Sequence, residues 1–552
     1  MLLLLSFITF LSIQRIQTTL AQVTQEWVAT YTNPFNLASG VSDMAIDTNG
    51  NTYITGGILR PDIQNDNYMT IKYNSSGVQQ WAVEYNGPGS NSIDVAYAIA
   101  VDKLGNVYVT GISEQTVLWT NAFCTIKYNS SGVQQWVSRY RFNPNSAASG
   151  DGPKSIYVDD SCNVYVTGVS TGIGTGTDYA TIKYNSNGDS LWVRRYNGYW
   201  NGNDFANSLI VDRYGNVFVT GFSNSGIPPA ASGQACTIKY NNNGLQQWVN
   251  CLNESQTTGC SKVKLDTSTN DIYVSGAIGG GTYSEDYLLI KYNSNGVQQW
   301  MRRYDGLFHG TDFTSDLVVD NSHNFFITGD VTNSSYKYYY TTIKYNSNGD
   351  SLWVKNYDRN SVENTLPKLF LDKYNNIYLT GSEWNGSNNE FITWKYNPSG
   401  TQQWLMTYPG GGASIRVDKY LNVYVTGGGA SPIDIKTIKY SQPDAIRKIS
   451  TVVPNKFNLA QNYPNPFNPS TKIQFQIPSI PLSRGVPEGR GVSVTLKIYD
   501  LLGREIAALI NQPLLPGTYE VEWDAAGYPS GVYFYRLSAG DYLNTKKLVL
   551  VK

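Results

Sequence analysis

Between residues 22 and 440 the chain repeats one pattern of apolar and polar positions: four short runs rich in Val, Ile, Tyr and Thr, separated by Asn, Ser, Asp and Gly. In the second copy the runs are AYAIAVD, NVYVTGI, AFCTIKYN and VQQWVSRY, here called A, B, C and D. Alternation over so few residues, bounded by turn formers, predicts strands and not helices. The A-to-B connection reads VDxxGN in several copies, with Gly50, Gly105 and Gly215. The C-to-D connection is YNSSG or YNSNG and carries a glycine in every complete copy. Both therefore predict tight hairpins with one residue at positive φ.

Three markers count the copies independently. Trp27, Trp81, Trp136, Trp192, Trp248, Trp300, Trp353 and Trp404 follow at intervals of 54, 55, 56, 56, 52, 53 and 51 residues. An Asp closes each A run, from Asp47 and Asp102 to Asp418, and a Lys sits in each IKY or WKY of run C, from Lys72 to Lys439. Each series has eight members, and radially repeated four-stranded units of this length are propeller blades. The first D run, Gln25 to Tyr31, has no A, B and C before it, whereas the last copy ends at TIKYSQ and has no Trp-bearing D run. The first strand supplies what the last unit lacks. The expectation is an all-β chain whose eight-bladed β-propeller is closed by the N-terminal strand, since open ends leave blade faces wet and edges unpaired.

Residues 1 to 21 read as an export signal: an apolar run from Leu2 to Leu11 too short to span a bilayer, then Thr19-Leu20-Ala21 as a small-residue cleavage site. Residues 22 to 440 form the propeller and 441 to 456 a linker. From 457 to 552 the pattern changes to short alternating strands punctuated by Pro and Gly, which predicts a small Ig-like β-sandwich.

The repeats, with their IAVDxxGNVYVTG core over residues 41 to 440, resemble the SBBP β-propeller repeat family. The terminal region resembles the C-terminal sorting domain of type IX secretion cargo. The resemblance is carried by NYPNPFNPST (Asn462, Pro464, Asn465, Pro466 and Phe467), by YDLLGRE with Gly503, by GVYFYRL with Gly531 and Tyr533, and by TKKLVLVK with Lys546 and Lys547. It departs from the family in an Arg/Gly/Pro-rich insert from Ser479 to Val492, expected in a surface loop. The resemblance implies export across both membranes to the cell surface or beyond, with the secretion machinery as a partner of residues 457 to 552.

Formal net charge is -1, from 41 basic and 42 acidic residues, so no overall field favours nucleic acid, and no integral membrane segment is expected after signal removal. Five cysteines form no metal-ligand motif; Cys251 and Cys260 bracket an eight-residue loop where a local disulfide would fit an exported chain, while Cys124 and Cys236 suit buried thiols.

Strand order puts the B-to-C and D-to-A loops on one face, and these differ in every unit, which makes that face the candidate binding surface. Trp119 and Trp384 in B-to-C loops and Trp200 in a D-to-A loop are candidates for stacking on sugars, against the plainer reading of loop-anchoring packing. Asp94, Asp151, Asp204 and Asp312 each precede the Asp that closes run A by eight residues, as a partial carboxylate ring near the channel mouth. They suit Ca²⁺ or a cationic ligand, against the plainer reading of turn capping. Two histidines and no nucleophile elbow leave little for catalysis. The leading expectation is a non-enzymatic exported propeller binding a polysaccharide or a surface protein. The alternatives are an extracellular carbohydrate-active enzyme using loop carboxylates and a purely structural surface or adhesion component.

Overall fold

The computed structural model describes residues 23–551, apart from 62–65, 89–92, 115–120, 144–150, 225–232, 253, 255–256, 280–284, 307–308, 333–336, 360–365, 432, 443–446, 451, 480–491 and 526–527. The expected signal peptide, Trp119 and nearly all of the 479–492 insert lie outside the described residues. Every regular element among the described residues is a β-strand. The chain divides into two compact units, 25–440 and 441–552.

The first unit holds eight four-stranded sheets. Their A strands are Ser39–Ile46, Asp94–Val101, Gly152–Val158, Asp204–Val211, Thr257–Leu265, Asp312–Val319, Lys368–Leu371 and Gly411–Val417. Seven sheets run A, B, C, D along the sequence; the eighth takes its fourth strand, Thr24–Thr32, from the start of the chain, beside Asp434–Ser441. Each A strand packs on the A strand of the next sheet, and Gly411–Val417 packs on Ser39–Ile46.

The sequence markers meet at the seams between sheets. In the C–D pairs of the first seven sheets the marker Lys and Trp are cross-strand partners, as in Lys72↔Trp81 and Lys127↔Trp136. The Trp81 indole N–H donates to the Ser130 carbonyl in the next sheet's C-to-D turn, and Lys72 Nζ donates to the same oxygen from 2.9 Å. Gly132 of that turn, at φ 82°, lies under the Trp81 ring: a Cβ there would stand 2.8 Å from Trp81 Cδ2. The clasp recurs from Trp27 on Gly77 to Trp353 on Gly400. Each closing Asp caps its own turn. Asp102 Oδ1 accepts from the Leu104 and Asn106 backbone, and Oδ2 from the Asn106 side chain and the Tyr108 hydroxyl. That is what an Asp opening a tight turn ordinarily does.

Seven of the eight A strands carry a β-bulge near their start, for example between Val41 and Asp43, between Cys260 and Lys262 and between Thr314 and Asp316. The residue after the bulge reaches across the seam. Asp43, Ser155, Ser208 and Asp316 side chains accept the backbone N–H of Ile99, Leu209, Val263 and Leu369 on the following A strand. A bulge bends a strand and re-aims its side chains, which suits strands crowded about one axis.

In the second unit two four-stranded sheets share one core, with Ile473, Phe475, Val521 and Trp523 from one and Leu496, Ile498, Tyr535 and Leu548 from the other. Arg447–Ser450, inside the expected linker, is a strand paired with Gly517–Asp524 and covers an edge that would otherwise be open. The NYPNPFNPST segment is stitched to the last strand, Tyr542–Leu550. Phe467 exchanges backbone bonds with Val549 and Val551 while its ring packs on Trp523, and Asn465 Oδ1 accepts the Val549 N–H. Buried Asn462 donates its side-chain amide to the Pro464 carbonyl and to Thr471, and Gln461 donates to the Lys547 carbonyl. Gly503, at φ 76°, makes the turn between Asp500 and Arg504; Gly531, Tyr533 and Lys546 lie in the paired strands Gly531–Ala539 and Tyr542–Leu550.

Candidate functional site

The four carboxylates expected at a channel mouth are buried within the sheets. Asp204 accepts the Gly198 N–H at 2.6 Å, the Ser223 hydroxyl at 2.6 Å and the Asn224 N–H at 3.1 Å. Asp94 accepts the Gly87 N–H and Asp312 the N–H groups of Gly306 and Thr332; Asp151 takes the Thr171 N–H and the Ser170 hydroxyl. Each ties the loop before its own A strand or the end of the adjoining B strand into the sheet. They are not displayed for a ligand, because carboxylates in so dry a position are kept by the N–H groups they satisfy.

Asp312 does come together with Asp286 and Asp305, their ligand oxygens lying within 4.8 Å of one another. Burial pushes Asp312 up to about 7, although two backbone N–H bonds oppose it, and the charges of Asp286 and Asp305 add to the rise. Two basic side chains already occupy the cluster: Arg303 on Asp286, and His309 on Asp305 at 2.6 Å, a bond that together with the Asp305 charge raises the imidazole. The Ca²⁺ considered from sequence would have to displace both. The other histidine, His323, bonds Asp266 at 2.6 Å. Burial alone would raise Asp266; hydrogen bonds from Ser268 and His323 outweigh it and bring Asp266 to about 2.

The Asp204 anchor presents the clearest exposed feature of the variable face. Gly198, which it holds, precedes Tyr199 and Trp200, and Asn201 closes the loop at φ 54° with its N–H on the Gly198 carbonyl. Tyr199 is 88% exposed and Trp200 50%, their rings edge to face with centroids 5.0 Å apart. Sequence reasoning selected Trp200 and Asp204 separately; the structure makes one the display and the other its support. It missed Tyr199, although two adjacent aromatics among Asn and Gly were visible. Trp384 ends the B strand Ile377–Trp384 of the seventh sheet and is 40% exposed, so it does not converge with Trp200 between the third and fourth sheets.

The expected Cys251–Cys260 bridge is replaced by Cys236–Cys251. These two are cross-strand neighbours on the C and D strands of the fourth sheet, with Cα atoms 4.1 Å apart, while Cys260 is a buried free thiol on the A strand of the next sheet, opposite Gly276.

A cavity of about 750 Å³ lies between the A strands. Its walls carry Lys154, Lys262, Lys264, Lys368 and Arg416, with Asp43 and Asp316. None of these positions was singled out from sequence. The signal was present: the position four before each closing Asp, which follows the bulge in seven sheets, is Ala98, Ser155, Ser208 and Ser414 in four sheets but Lys262, Asp316, Lys368 and Asp43 in the others.

Residues 461–552 match the secretion system C-terminal sorting domain family, and residues 80–113 and 191–228 match the beta-propeller repeat family. The sorting domain marks proteins exported by type IX secretion, so the chain is exported to the cell surface or the extracellular space and engages that machinery. No helix among the described residues is long and apolar enough to cross a membrane. None of the curated proteins matches the chain. Among solved structures it is similar to a polysaccharide lyase, the PL25 ulvan lyase, at 12% identity and TM-score 0.39, over 61% of this chain and 90% of that one. It is also similar to an ancestral GH74 enzyme, at 12% identity and TM-score 0.39, over 84% of this chain and 61% of that one. Drosophila Semaphorin 1b, extracellular domains 1-2, gives 8% identity and TM-score 0.36, over 77% of this chain and 88% of that one.

Proposed function

We propose that the chain is an exported, non-enzymatic binding module: an eight-bladed propeller closed by its N-terminal strand, delivered by an Ig-like sorting sandwich, with a polysaccharide as its ligand. Closure is supported by the pairing of Thr24–Thr32 with Asp434–Ser441 and by Trp27, which clasps Gly77 of the first sheet. The observation that carries the binding reading is the Tyr199–Trp200 pair, two aromatic rings held out to solvent by a loop whose base is pinned to buried Asp204. An aromatic face at right angles to a second ring offers stacking area for a sugar, and a rigid loop keeps the ordering cost of binding low. Against catalysis, Asp94, Asp151, Asp204 and Asp312 are buried and accept hydrogen bonds that hold the loops and the sheet.

The test is retention of the full-length protein on a panel of insoluble polysaccharides, with the supernatant assayed for released sugar. Retention without release is expected, weakened about tenfold or more by Trp200→Ala or Tyr199→Ala, the loss typical of an exposed aromatic anchor. Retention untouched by both substitutions would overturn this assignment of the surface. Release of soluble sugar would replace it with the enzymatic one.

A further inference from the structure

The cavity between the A strands stands apart from the variable-face loops. Lys262 and Lys264 rise from the fifth A strand, Lys368 from the seventh, Arg416 from the eighth and Lys154 from the bulge of the third. Among the described residues Lys262, Lys264 and Lys368 make no ion pair and no hydrogen bond; Lys154 lies 5.3 Å over the Tyr97 ring, and Arg416 pairs with Asp43 at 3.1 Å.

The carboxylates in the same walls are already engaged, Asp43 by Arg416 and the Ser414 hydroxyl. Asp316 accepts the backbone N–H of Leu317 and Leu369, and Asp43 that of Met44 and, across the seam, of Ile99. At the turn end of the cavity Asp320 and Asp372 cap their own turns. Counting these and Lys373, six cationic side chains face four carboxylates.

Like charges crowded in a confined, partly desolvated space repel, and they persist at least cost when a counter-charge neutralises them. The electrostatics carry that strain. Burial holds Lys264 below its usual range, Lys262 and Arg416 adding to the effect, and burial and Lys262 do the same to Lys368. At Asp316, burial is outweighed by Lys262, Lys368 and Lys264, which keep that carboxyl low.

From the unpaired lysines and the size of the cavity, we infer that it is a binding site for a multiply charged oxyanion, with Lys262, Lys264 and Lys368 as the direct ligands and Arg416 and Lys154 at its margins. A volume of about 750 Å³ admits an inorganic anion with its water or an acidic disaccharide. Ammonium groups are suited to sulfate, phosphate or carboxylate oxygens as point charges, without the planar fork that would restrict the choice.

Full-length protein is titrated calorimetrically at low salt and pH 7 with three probes: inorganic sulfate, inorganic phosphate and a disulfated disaccharide. Saturable one-to-one binding of at least one is expected, weakening with salt. Tighter binding of the disaccharide than of either ion identifies a saccharide ligand, and parity with the ions identifies a small-anion site; either supports the inference. The double variant Lys262→Met/Lys264→Met loses about tenfold in affinity per cation removed. Lys368→Met alone loses about tenfold, and Trp200→Ala loses nothing. Circular dichroism and cooperative thermal unfolding of each Met variant check that it is folded, which separates lost binding from lost folding. Absence of saturable binding with all three probes, or unchanged affinity in a folded Lys262→Met/Lys264→Met protein, overturns it.

Discussion

Two glycines in one sheet separate the backbone cost of a turn from the cost of the seam. Gly105 in the A-to-B turn and Gly132 in the C-to-D turn have nearly the same φ, 78° and 82°. A Cβ on Gly105 would meet Ser130 Cβ at 3.4 Å, an ordinary contact, whereas on Gly132 it would meet the Trp81 indole at 2.8, 2.9 and 3.2 Å. Alanine in the left-handed region costs about 1–2 kcal/mol wherever it is placed. Forcing a packed ring to move adds about 1–3 kcal/mol. Gly105→Ala is therefore expected to destabilise the propeller by about 1–2 kcal/mol and Gly132→Ala by about 2–5 kcal/mol. Urea unfolding of the full chain, followed by circular dichroism, reads the difference as a lower midpoint for Gly132→Ala with unchanged slope. If Trp81 is the obstacle, Trp81→Leu in the Gly132→Ala background should cost less than the sum of the single changes. Equal midpoints for the two alanine variants, or strict additivity with Trp81→Leu, would refute the view that Trp-on-Gly contacts lock adjacent sheets.

Two further outcomes follow from groups already described. A non-reducing peptide map should show Cys236 linked to Cys251 and Cys260 free; with the partners 15 positions apart, Cys251→Ser should lower unfolding free energy by about 3 kcal/mol, and a Cys251–Cys260 peptide would contradict the strand register. Asp312 is raised by burial to about 7, above the carboxylate value of an unfolded chain. Between about pH 4 and 7 the folded state then holds protons that the unfolded state has released, so stability declines as pH rises through that window. Asp312→Asn should flatten this slope in urea midpoints measured across it, and an unaltered slope would count against the raised carboxyl.

Much of the first unit could be read because its packing is repetitive. The Trp, Lys and Gly series recur for one reason, since all three meet in the same inter-sheet clasp, and a contact that forms at one seam after another leaves a period in the chain. What the repeats could not expose was the register between strands. Once Lys239 is known to face Trp248, counting three residues back from one and forward from the other brings Cys236 opposite Cys251; without that pairing, the short loop to Cys260 was the natural choice. Burial defeated the carboxylate ring, because Asp94, Asp151, Asp204 and Asp312 share a slot whose use is to gather N–H groups from loops that differ. The cavity lysines went unnoticed because they replace small or apolar residues in only some copies, so they register as irregularity in the repeat. The Arg447–Ser450 strand is four residues in a polar stretch, too short for periodicity to reveal.

The pairing of the first strand with the last has a consequence for the order in which the molecule is made. Thr32 bonds Asp434, 402 positions further along the chain, so its strand is kept waiting during synthesis for almost the entire propeller. A chain interrupted anywhere before Asp434–Ser441 offers it no berth, and such distant pairing is the slowest kind of step for a folding chain. The segment that ends this wait runs directly into the strands of the sorting unit. The last strand of the eighth sheet and the export tag thus emerge one after the other at the ribosome, and a chain that displays its tag has already produced every strand of the eight sheets.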